Sequence, residues 1–486
     1  MPERLLCLLS SLVVVALTSR NVYTVKLQRF ADESDTDAGV REIRSSEYYG
    51  KVTLGGQDFA MVFDTGSGNI VVPSVECTDE ACQRHRRYNA SESATSKQLA
   101  FAEEPETEVT PGKERDIVTI SYGTGQLSGV FVRDRLCVGN DSAADGAEEA
   151  KLCAMINFVA ASEETTDPFG KVQFDGIFGL GLPDMSEGPH FNAVDRMITS
   201  NFLRDSVFSI YLRKDEDKGE EEEDVHSRVT PCQDPSFGCD NSTSFAGEIT
   251  FGGYRTQRMS SEIIWVPVSH PSFWQVEMDD VVLNNVVTGL CDGGCQAAVD
   301  TGTSLLAGPS HIVHELTEKL NVAADCSNWP SLPDLGFLFG DTILNLKPQD
   351  YVERHPEEGC SLALMALDVP PPKGPLFVFG EPFLKKYYTI FDRARLRLGL
   401  ALANHDIIAE ETTTITADGS VTVQAHENVT IITEGDPHHV AQQRSTKKVV
   451  VVDAVEHLRA RGHTAKRRPT RRLNVHRNRK TPIAGR

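Results

Sequence analysis

The chain has 486 residues, 40% of them hydrophobic, and a formal net charge of -22. A chain of this length can bury more than one core, and about 150 residues per domain predicts two or three domains. Because binding to phosphates requires a basic surface, the negative charge leads us to expect no nucleic-acid partner.

The N-terminus has the features of a secretory signal peptide. Arg4 precedes the apolar run LLCLLSSLVVVAL, and Thr18 and Ser19 then give way to Arg20. We therefore predict a signal peptide at residues 1–19. The run is short for a membrane span and no later segment has ~18 uninterrupted apolar residues, so an exported chain without a transmembrane anchor is favoured over a signal anchor.

The cysteine content agrees with export. Loss of the signal peptide leaves 10 of the 11 cysteines, an even number suited to disulfides in an oxidising compartment. The pairs that could close small loops or hairpins are Cys77/Cys82, Cys137/Cys153, Cys232/Cys239, Cys291/Cys295 and Cys326/Cys360. A metal site at the CxxxC spacing is the weaker alternative, since no histidine cluster accompanies it. Sequons at Asn89, Asn140, Asn241 and Asn428 fit a glycoprotein.

Strand signals dominate from about Tyr49 to Ala403. Runs such as KVTLGG, DIVTISYGTG, EITFGGY and RLRLGLALA are apolar or alternating and are bounded by Gly, Pro or Asp. They predict an all-β, mostly antiparallel protein. Only FNAVDRMITSNFL and PSHIVHELTEKLNV have a helical period.

The second helical segment contains possible metal ligands. His311, His314 and Glu315 occur in the order HxxHE, which differs from the zinc-peptidase motifs. We therefore interpret them as an exposed helix face and expect neither a metal nor another cofactor.

Two segments are strongly charged. The run KDEDKGEEEEDVH predicts a solvated loop within an acidic insertion at about residues 213–245. Residues 404–486 have few apolar residues and are predicted to be a disordered extension. From Ala441 onward this extension has 14 basic and 2 acidic residues, and a retention signal, a removed propeptide and a docking segment for an anionic partner remain open for it.

One unusual stretch occurs twice. Residues 61–74 read MVFDTGSGNIVVPS and residues 297–310 read AAVDTGTSLLAGPS. In each copy, apolar residues precede Asp-Thr-Gly, and a hydroxyl residue, an apolar pair and Pro-Ser follow. The repeat predicts two related domains that face each other and bring Asp64 and Asp300 together.

Such a pair of acids has a specific chemistry. Two carboxyl groups in contact cannot easily both ionise, so the pair holds one proton and offers one base and one acid. A water between them can be deprotonated by one while the other protonates a substrate carbonyl.

The residues that follow each aspartate suit this role. Glycine permits a tight turn and a close approach of the backbone, a hydroxyl residue can donate to an outer carboxylate oxygen, and the threonines could bond across the domain interface. These expected supporting residues are Thr65, Gly66, Ser67, Thr301, Gly302 and Thr303.

With these motifs the chain resembles the pepsin-like aspartic endopeptidases, the family of pepsin and cathepsin D, over roughly residues 47–403. EYYGKVTLG and FDTGSGN resemble the start of the mature enzyme and its first active-site loop, and SYGTGQLSG resembles its flap. FDGIFGLG and LFVFGEPFLKKYYTIFDRARLRLGLA resemble the segments that flank each aspartate and the closing strands.

The resemblance implies a bilobal pepsin-like acid protease fold with few short helices. The implied divisions are a short prosegment-like region at 20–46, an N-terminal lobe at 47–210 with the flap, and a C-terminal lobe at 211–403. Asp64 and Asp300 would be the catalytic dyad. The flap and substrate-binding residues would be Tyr122, Gly123, Thr124, Phe174 and Ile177, and Cys77/Cys82, Cys291/Cys295 and Cys326/Cys360 would be the family's three disulfides.

Some positions depart from the family pattern. Val71 stands where the family usually has a Trp that hydrogen-bonds the flap tyrosine, and Gly68 stands where Ser is common. VYTVKLQRF resembles the opening strand of an inhibitory prosegment, although only about 20 residues separate it from Tyr49.

The function implied by the resemblance is hydrolysis of extended polypeptides, with apolar side chains flanking the cut bond, at acidic pH. We expect a monomeric zymogen, secreted or held in an acidic vacuolar or lysosome-like compartment. The alternative is a catalytically silent pepsin fold used for binding or inhibition, which should have lost an aspartate or the flap Tyr and Gly.

Overall fold

The computed structural model describes most of the chain between residues 22 and 432. The described ranges are 22–31, 46–122, 125–139, 151–201, 203, 205–214, 245–355, 359–371, 373–405, 412–415, 421–425 and 428–432. The predicted signal peptide, most of the acidic insertion and most of the C-terminal extension lie outside these residues. So do Gly123 and Thr124 of the predicted flap.

The described residues are dominated by strands, which confirms the predicted fold class. The strands up to the predicted lobe boundary are β1 Tyr23–Ala31, β2 Ser46–Leu54, β3 Gln57–Asp64, β4 Ile70–Pro73, β5 Lys97–Gln98, β6 Ile117–Tyr122, β7 Gly125–Gly139, β8 Lys151–Glu164, β9 Gly176–Gly179 and β10 Val207–Leu212. The predicted boundary between residues 210 and 211 falls inside β10 and stays a prediction.

The later strands continue this pattern. They are β11 Gly247–Phe251, β12 Ile264–His270, β13 Gln275–Met278, β14 Asp280–Leu283, β15 Val286–Val287, β16 Cys295–Val299, β17 Leu306–Gly308, β18 Leu335–Phe339, β19 Thr342–Leu346, β20 Val352–His355, β21 Gly359–Leu362, β22 Leu364–Ala366, β23 Phe377–Phe379, β24 Tyr387–Asp392 and β25 Arg397–Leu402. In the C-terminal extension, β26 Thr412–Ile415, β27 Val421–Ala425 and β28 Asn428–Ile432 form a sheet of their own.

The helices are few and short. They are α1 Glu80–Gln83, α2 Ala193–Thr199, α3 Ser310–Leu320, α4 Pro348–Tyr351 and α5 Glu381–Lys386. The two segments with a helical period contain α2 and α3, as predicted. Helix α3 buries Ile312, Val313, Leu316 and Leu320, while the three possible metal ligands of the HxxHE sequence are exposed. Among the described residues no cluster of side chains could hold a metal ion.

The sheet topology repeats around the two aspartates. Strand β3 pairs in parallel with β9, and β4 pairs with β9 in the antiparallel direction. In the second copy, β16 pairs in parallel with β23, and β17 pairs with β23 in the antiparallel direction. Asp64 ends β3 and Asp300 directly follows β16, so each aspartate leaves the sheet at an equivalent point.

A continuous aromatic core lies behind these strands and joins both halves of the chain. Phe63 contacts Phe178 with ring centroids 5.0 Å apart, and Phe251 lies 6.3 Å from Phe63. Phe208 contacts Phe251 at 6.3 Å and Trp274 at 5.7 Å. Close packing of this kind restricts movement, so it fixes the strands that carry the two aspartates relative to each other.

Strand β1 connects two parts of this sheet system. Its first residues pair with β11 and its last residues pair with β2. Val25 is 0% and Leu27 2% exposed. A Cβ atom at Gly50 would lie 2.7 Å from Val25 Cγ1, so the backbone of β2 packs directly on β1. The prosegment-like strand is therefore part of the core in this structure.

Four of the five predicted cysteine pairs form disulfides in the described residues. They are Cys77–Cys82, Cys137–Cys153, Cys291–Cys295 and Cys326–Cys360. The Cys137–Cys153 disulfide links β7 to β8, which are neighbouring strands in the sheet.

The fifth predicted pair is not among these disulfides. Cys232 and Cys239 both belong to the part of the acidic insertion that lies outside the described residues. A disulfide between Cys232 and Cys239 therefore has no structural support here and stays a prediction.

Candidate active site

The carboxyl groups of Asp64 and Asp300 lie against each other between the two turns. A Cβ atom added at Gly66 would be 2.6 Å from Asp300 Oδ2, and one at Gly302 would be 2.5 Å from Asp64 Oδ1. Only glycine lets each turn approach the opposite carboxyl group so closely. Each turn therefore packs on the aspartate of the other copy.

Backbone and hydroxyl donors orient the two carboxyl groups. Gly66 N donates to Asp64 Oδ1 at 2.8 Å, and Gly302 N donates to Asp300 Oδ1 at 3.0 Å. Thr303 Oγ1 donates to Asp300 Oδ2 at 2.7 Å. The two aspartates thus accept equivalent backbone bonds, and Asp300 also accepts the hydroxyl bond that the sequence suggested.

Ser67 differs from Thr303, its counterpart in the second copy. The Ser67 hydroxyl oxygen is buried and makes no hydrogen bond of ordinary geometry with any described residue. It is nevertheless close enough to Asp64 to lower the pKa of that carboxyl group against the larger effect of burial. Ser67 and Asp64 are therefore close, but the expected bond between them lacks ordinary hydrogen-bond geometry.

Two threonines link the active-site turns, as the sequence suggested. Thr65 Oγ1 donates to the carbonyl of Val299 at 2.9 Å and accepts from Thr301 N at 3.0 Å. Thr301 Oγ1 donates to the carbonyl of Phe63 at 2.5 Å and accepts from Thr65 N at 3.0 Å. These reciprocal bonds tie the ends of β3 and β16 together beneath the carboxyl groups.

Burial and charge perturb the pair. Asp64 is 9% exposed. Burial, and next the negative charge of Asp300, raise the pKa of Asp64 to about 7. A carboxyl group with this pKa remains protonated through the acidic range, so the pair can hold one proton there.

A third acid near the pair was not found from the sequence. Burial, and next the negative charges of Asp64 and Asp300, raise the pKa of Glu47 to about 8. Glu47 begins the EYYGKVTLG motif, but no spacing rule relates it to either aspartate. Its proximity follows only from the folding of β2 alongside β3.

Tyr122 lies at the end of β6, where the sequence placed the flap. Its ring packs edge-on against Phe169, with centroids 6.3 Å apart. It joins an apolar cluster with Phe174 and Ile177, each 7% exposed. The structure thus brings Tyr122, Phe174 and Ile177 together, while Gly123 and Thr124 lie outside the described residues.

The Tyr122 hydroxyl group lacks the partner that the sequence departure at Val71 removes. Its oxygen is buried and makes no hydrogen bond of ordinary geometry with the described residues, although Ser67 is close enough to lower the pKa of the hydroxyl group against the larger effect of burial. Val71 is 2% exposed and belongs to the same apolar cluster. An unsatisfied buried hydroxyl costs about 1–3 kcal/mol, so this arrangement of the flap is less stable than one with a donor.

We expect Val71→Trp to lower KM by restraining Tyr122, because the indole N–H can supply the missing hydrogen bond. Val71→Phe is the matched control, since it adds an aromatic ring without an N–H donor. Both variants should be compared by steady-state kinetics and by thermal unfolding, because overpacking can itself cost about 1–3 kcal/mol. Equal KM values for the Trp and Phe variants would mean that the hydrogen bond has no effect.

Trp274 was also missed by the sequence interpretation. Its indole Nε1 donates to the carbonyl of Leu180 at 2.9 Å, and Leu180 N donates to the carbonyl of Asp64 at 2.7 Å. Val299 N donates to the carbonyl of Trp274 at 3.2 Å. Trp274 therefore connects the backbone beside Asp64 to the strand that precedes Asp300.

Comparison with known proteins gives one consistent result. The model of the eukaryotic aspartyl protease family matches residues 47–222 and 232–403. Cathepsin E-A of Xenopus laevis is 32% identical over 364 residues, which cover 73% of this chain and 79% of the relative. Cathepsin E of Mus musculus is 32% identical over 369 residues, covering 74% and 80%, and renin of Rattus norvegicus is 31% identical over 373 residues, covering 74% and 80%.

Proposed function

The chain belongs to the eukaryotic aspartyl protease family and is an aspartic-type endopeptidase with the bilobal pepsin fold, and on this basis we propose that Asp64 and Asp300 are its catalytic dyad. The observation that carries the proposal is the close contact of the two carboxyl groups, each within 3 Å of the Cβ position of the opposite glycine. No cofactor is needed for this chemistry.

The hydrogen bonds suggest how the shared proton is placed. Asp300 accepts two donors, from Gly302 N and Thr303 Oγ1, whereas Asp64 accepts one, from Gly66 N. Donors stabilise a carboxylate, and the pKa of Asp64 is raised to about 7 by burial and by Asp300. In the proposed resting state Asp64 carries the proton and Asp300 is ionised.

The proposed reaction uses a water molecule between the two groups. Asp300 removes a proton from the water, and the water oxygen forms a bond to the carbonyl carbon of the peptide. Asp64 gives its proton to the carbonyl oxygen, which produces a neutral tetrahedral diol. When the C–N bond breaks, one carboxyl group protonates the leaving nitrogen and the other accepts the diol proton, so the pair ends with one proton.

The proposed substrates are extended polypeptides with apolar side chains next to the cut bond. The apolar cluster that contains Tyr122, Phe174 and Ile177 supports this preference, because burial of apolar side chains contributes about 25 cal/mol per Å². In this role Tyr122 closes over the bound peptide. The silent alternative lacks support, since both carboxyl groups and Tyr122 are in place.

The place of action is also a proposal. We place the enzyme, as a monomer, in the secretory pathway or in an acidic compartment reached from it. The raised pKa values of Asp64 and Glu47, about 7 and about 8, support an acidic setting, because buried acids are less costly when protonated. Within the described residues, no helix has the length and apolar content needed to cross a membrane.

A digestion experiment tests the proposed function. A denatured protein mixture is incubated with the purified chain between pH 3 and 8, and the new termini are mapped. We expect internal cuts between apolar residues, strongest in acid, and inhibition by a peptide that carries a hydroxyl-bearing mimic of the tetrahedral diol. Absence of internal cuts at every pH, with a correctly folded protein, would contradict the proposal.

A further inference from the structure

One lysine side chain connects the two halves of the chain beside the active-site turns. The Lys373 ammonium nitrogen lies 5.2 Å from the ring centroid of Phe273 and donates to the thioether sulfur of Met185 at 3.4 Å. Met185 follows β9 in the first half of the chain, whereas Phe273 and Lys373 belong to the second half. We call these three residues the Lys373 cluster.

The Met185 side of the Lys373 cluster adjoins the first active-site turn. A Cβ atom at Gly68, four residues after Asp64, would lie 2.5 Å from the backbone carbonyl carbon of Met185. Glycine at position 68 therefore allows the Met185 segment to pack on the turn that carries Asp64. Met185 thus holds one side of the cluster close to the first aspartate.

The Phe273 side of the cluster adjoins the strand that leads to the second aspartate. Phe273 packs on the apolar cluster that contains Ala298, and Ala298 lies in β16, two residues before Asp300. The next residue, Trp274, donates to the carbonyl of Leu180 at 2.9 Å, which ties the Phe273 segment to the first half of the chain. The Lys373 cluster therefore lies beside both turns of the dyad.

The charge of Lys373 has no counter-charge in the described part of the chain. Lys373 is exposed, and its contacts there are the Phe273 ring and the Met185 sulfur. Both bind an ammonium group weakly, because a thioether is a poor acceptor and an aromatic ring has no net charge. The chain has 70 acidic residues against 48 basic ones, so this lysine remains without an ion pair in a protein rich in acidic side chains.

An exposed cation of this kind suits a carboxylate ligand. Lysine side chains are positively charged throughout the acidic range in which the proposed reaction runs, and aspartate and glutamate side chains ionise above about pH 4. Cation and carboxylate are therefore both charged in mild acid. Because the ring and the thioether already restrain the ammonium group without neutralising it, less side-chain freedom is lost when a carboxylate binds.

We propose that Lys373 recognises a carboxylate of the substrate, either an acidic side chain or the carboxyl terminus, within three residues of the cut bond. This inference rests on the proposed peptidase function. An extended peptide advances by about 3.3 Å per residue, so a peptide that crosses the dyad can present such a group to a cluster beside both active-site turns. Lys373 is a specificity-determining residue, and Asp64 and Asp300 perform the chemistry.

Matched peptides test the proposal. One apolar substrate with an amidated terminus is prepared with glutamate, or with uncharged glutamine, at each of the three positions on either side of the cut bond in turn. At about pH 5.5 we expect one position at which the glutamate to glutamine ratio of kcat/KM falls about threefold or more in Lys373→Met, as for the loss of an exposed ion pair.

A second set of peptides distinguishes the two sources of the carboxylate. These peptides have no charged side chain, end within three residues of the cut bond, and have either a free terminal carboxylate or an amide. If the terminus is the ligand, the carboxylate to amide ratio of kcat/KM falls in Lys373→Met and the glutamate to glutamine ratio does not. If an acidic side chain is the ligand, the reverse is expected.

Two further variants control for indirect effects. Lys373→Arg keeps the positive charge and should keep most of the preference for the carboxylate peptide. Lys319→Met is the matched control, because Lys319 in α3 is also exposed but pairs with Glu315 at 3.3 Å. Its ratios should equal those of the wild type.

The pH dependence gives an independent readout. For a glutamate ligand, the wild-type ratio should rise between about pH 3.5 and 6, since the substrate glutamate ionises near pH 4.3 and its neutral form cannot pair with an ammonium group. Asp184, Glu187 and His270 lie within three residues of the Met185 or Phe273 contact. The rise is therefore assigned to Lys373 only if it is absent from Lys373→Met.

The outcomes separate this inference from the proposed function. If the wild type cleaves the uncharged peptides but neither ratio changes in Lys373→Met, the inference is wrong and the proposed function stands. If Lys373→Met lowers kcat/KM equally for charged and uncharged peptides, Lys373 only joins the two halves of the chain and the inference is also wrong. If the wild type cleaves none of the peptides, both are wrong.

Discussion

Asp64→Asn and Asp300→Asn should each lower kcat by several powers of ten, and the double variant should be about as inactive as either single one. An amide keeps the size of the side chain and can still accept the bond from Gly66 N or Gly302 N. It cannot carry a proton to or from the reacting water. Residues that act as one unit give such non-additive losses.

Peptide hydrolysis and inhibitor binding should be measured on the same preparations. We expect both single variants to unfold at nearly the wild-type temperature and to bind a substrate-like inhibitor weakly. Asp341→Asn is the matched control, since Asp341 is an exposed aspartate in the turn between β18 and β19. Substantial hydrolysis by either purified dyad variant would refute the two-aspartate mechanism.

Val25→Asp should destabilise the chain by about 4 kcal/mol or more, because the new carboxylate would be buried without a partner. Val25 is 0% exposed and pairs with Ile249 of β11. A typical domain has a total stability of about 5–15 kcal/mol, so little folded and active protein is expected. The measurement is denaturant-induced unfolding together with the yield of folded protein.

The same substitution at an exposed valine is the control. Val287 lies in the short strand β15 and is 40% exposed, so Val287→Asp should change stability by less than about 0.5 kcal/mol. If Val25→Asp is as stable as Val287→Asp, β1 is dispensable for the fold. If the expected loss is found, β1 is required even though it lies outside the segment that matches the family model.

The sequence was most informative where two distant segments repeat the same local pattern. The two Asp-Thr-Gly copies predicted the contact of Asp64 with Asp300, because a repeated motif specifies equivalent local structure in each domain. The same symmetry led to the reciprocal bonds of Thr65 and Thr301. It was misleading at Ser67, since a serine and a threonine at equivalent positions do not make the same bond to their aspartates.

Cysteine spacing was informative for a different reason. A short separation limits how far apart two cysteines can lie, so neighbours in sequence such as Cys77 and Cys82 are favoured as partners. The same reasoning gave the pair Cys232 and Cys239. That pair differs from the other four in lying outside the described residues, so the disulfide at Cys239 remains an expectation from spacing alone.

Features that depend on several unrelated segments could not be predicted. Glu164 follows Glu163 in an ordinary sequence context, yet in the structure Glu164 is buried and Glu163 is exposed. Strand β1 was recognised as prosegment-like, but its pairing with β11 involves residues more than 200 positions away. Periodicity describes one strand and does not identify its neighbours.

The absence of Trp at Val71 was visible in the sequence, and its consequence required the structure. Val71 and Tyr122, whose hydroxyl group has no hydrogen bond of ordinary geometry with the described residues, belong to the same apolar cluster. A single small side chain thus accounts for a missing hydrogen bond.

The pH dependence of kcat/KM tests the central claim, a single proton shared by Asp64 and Asp300, most directly. The profile of kcat/KM reports the ionisable groups of the free enzyme, and its two limbs describe the pair, not either residue alone. Because burial and Asp300 raise the pKa of Asp64 to about 7, the shared proton is retained in acid and lost above neutrality. We predict a bell-shaped profile with an acidic optimum and an alkaline limb centred near pH 7. A value of kcat/KM that stays constant or rises from pH 5 to 9 would contradict the account.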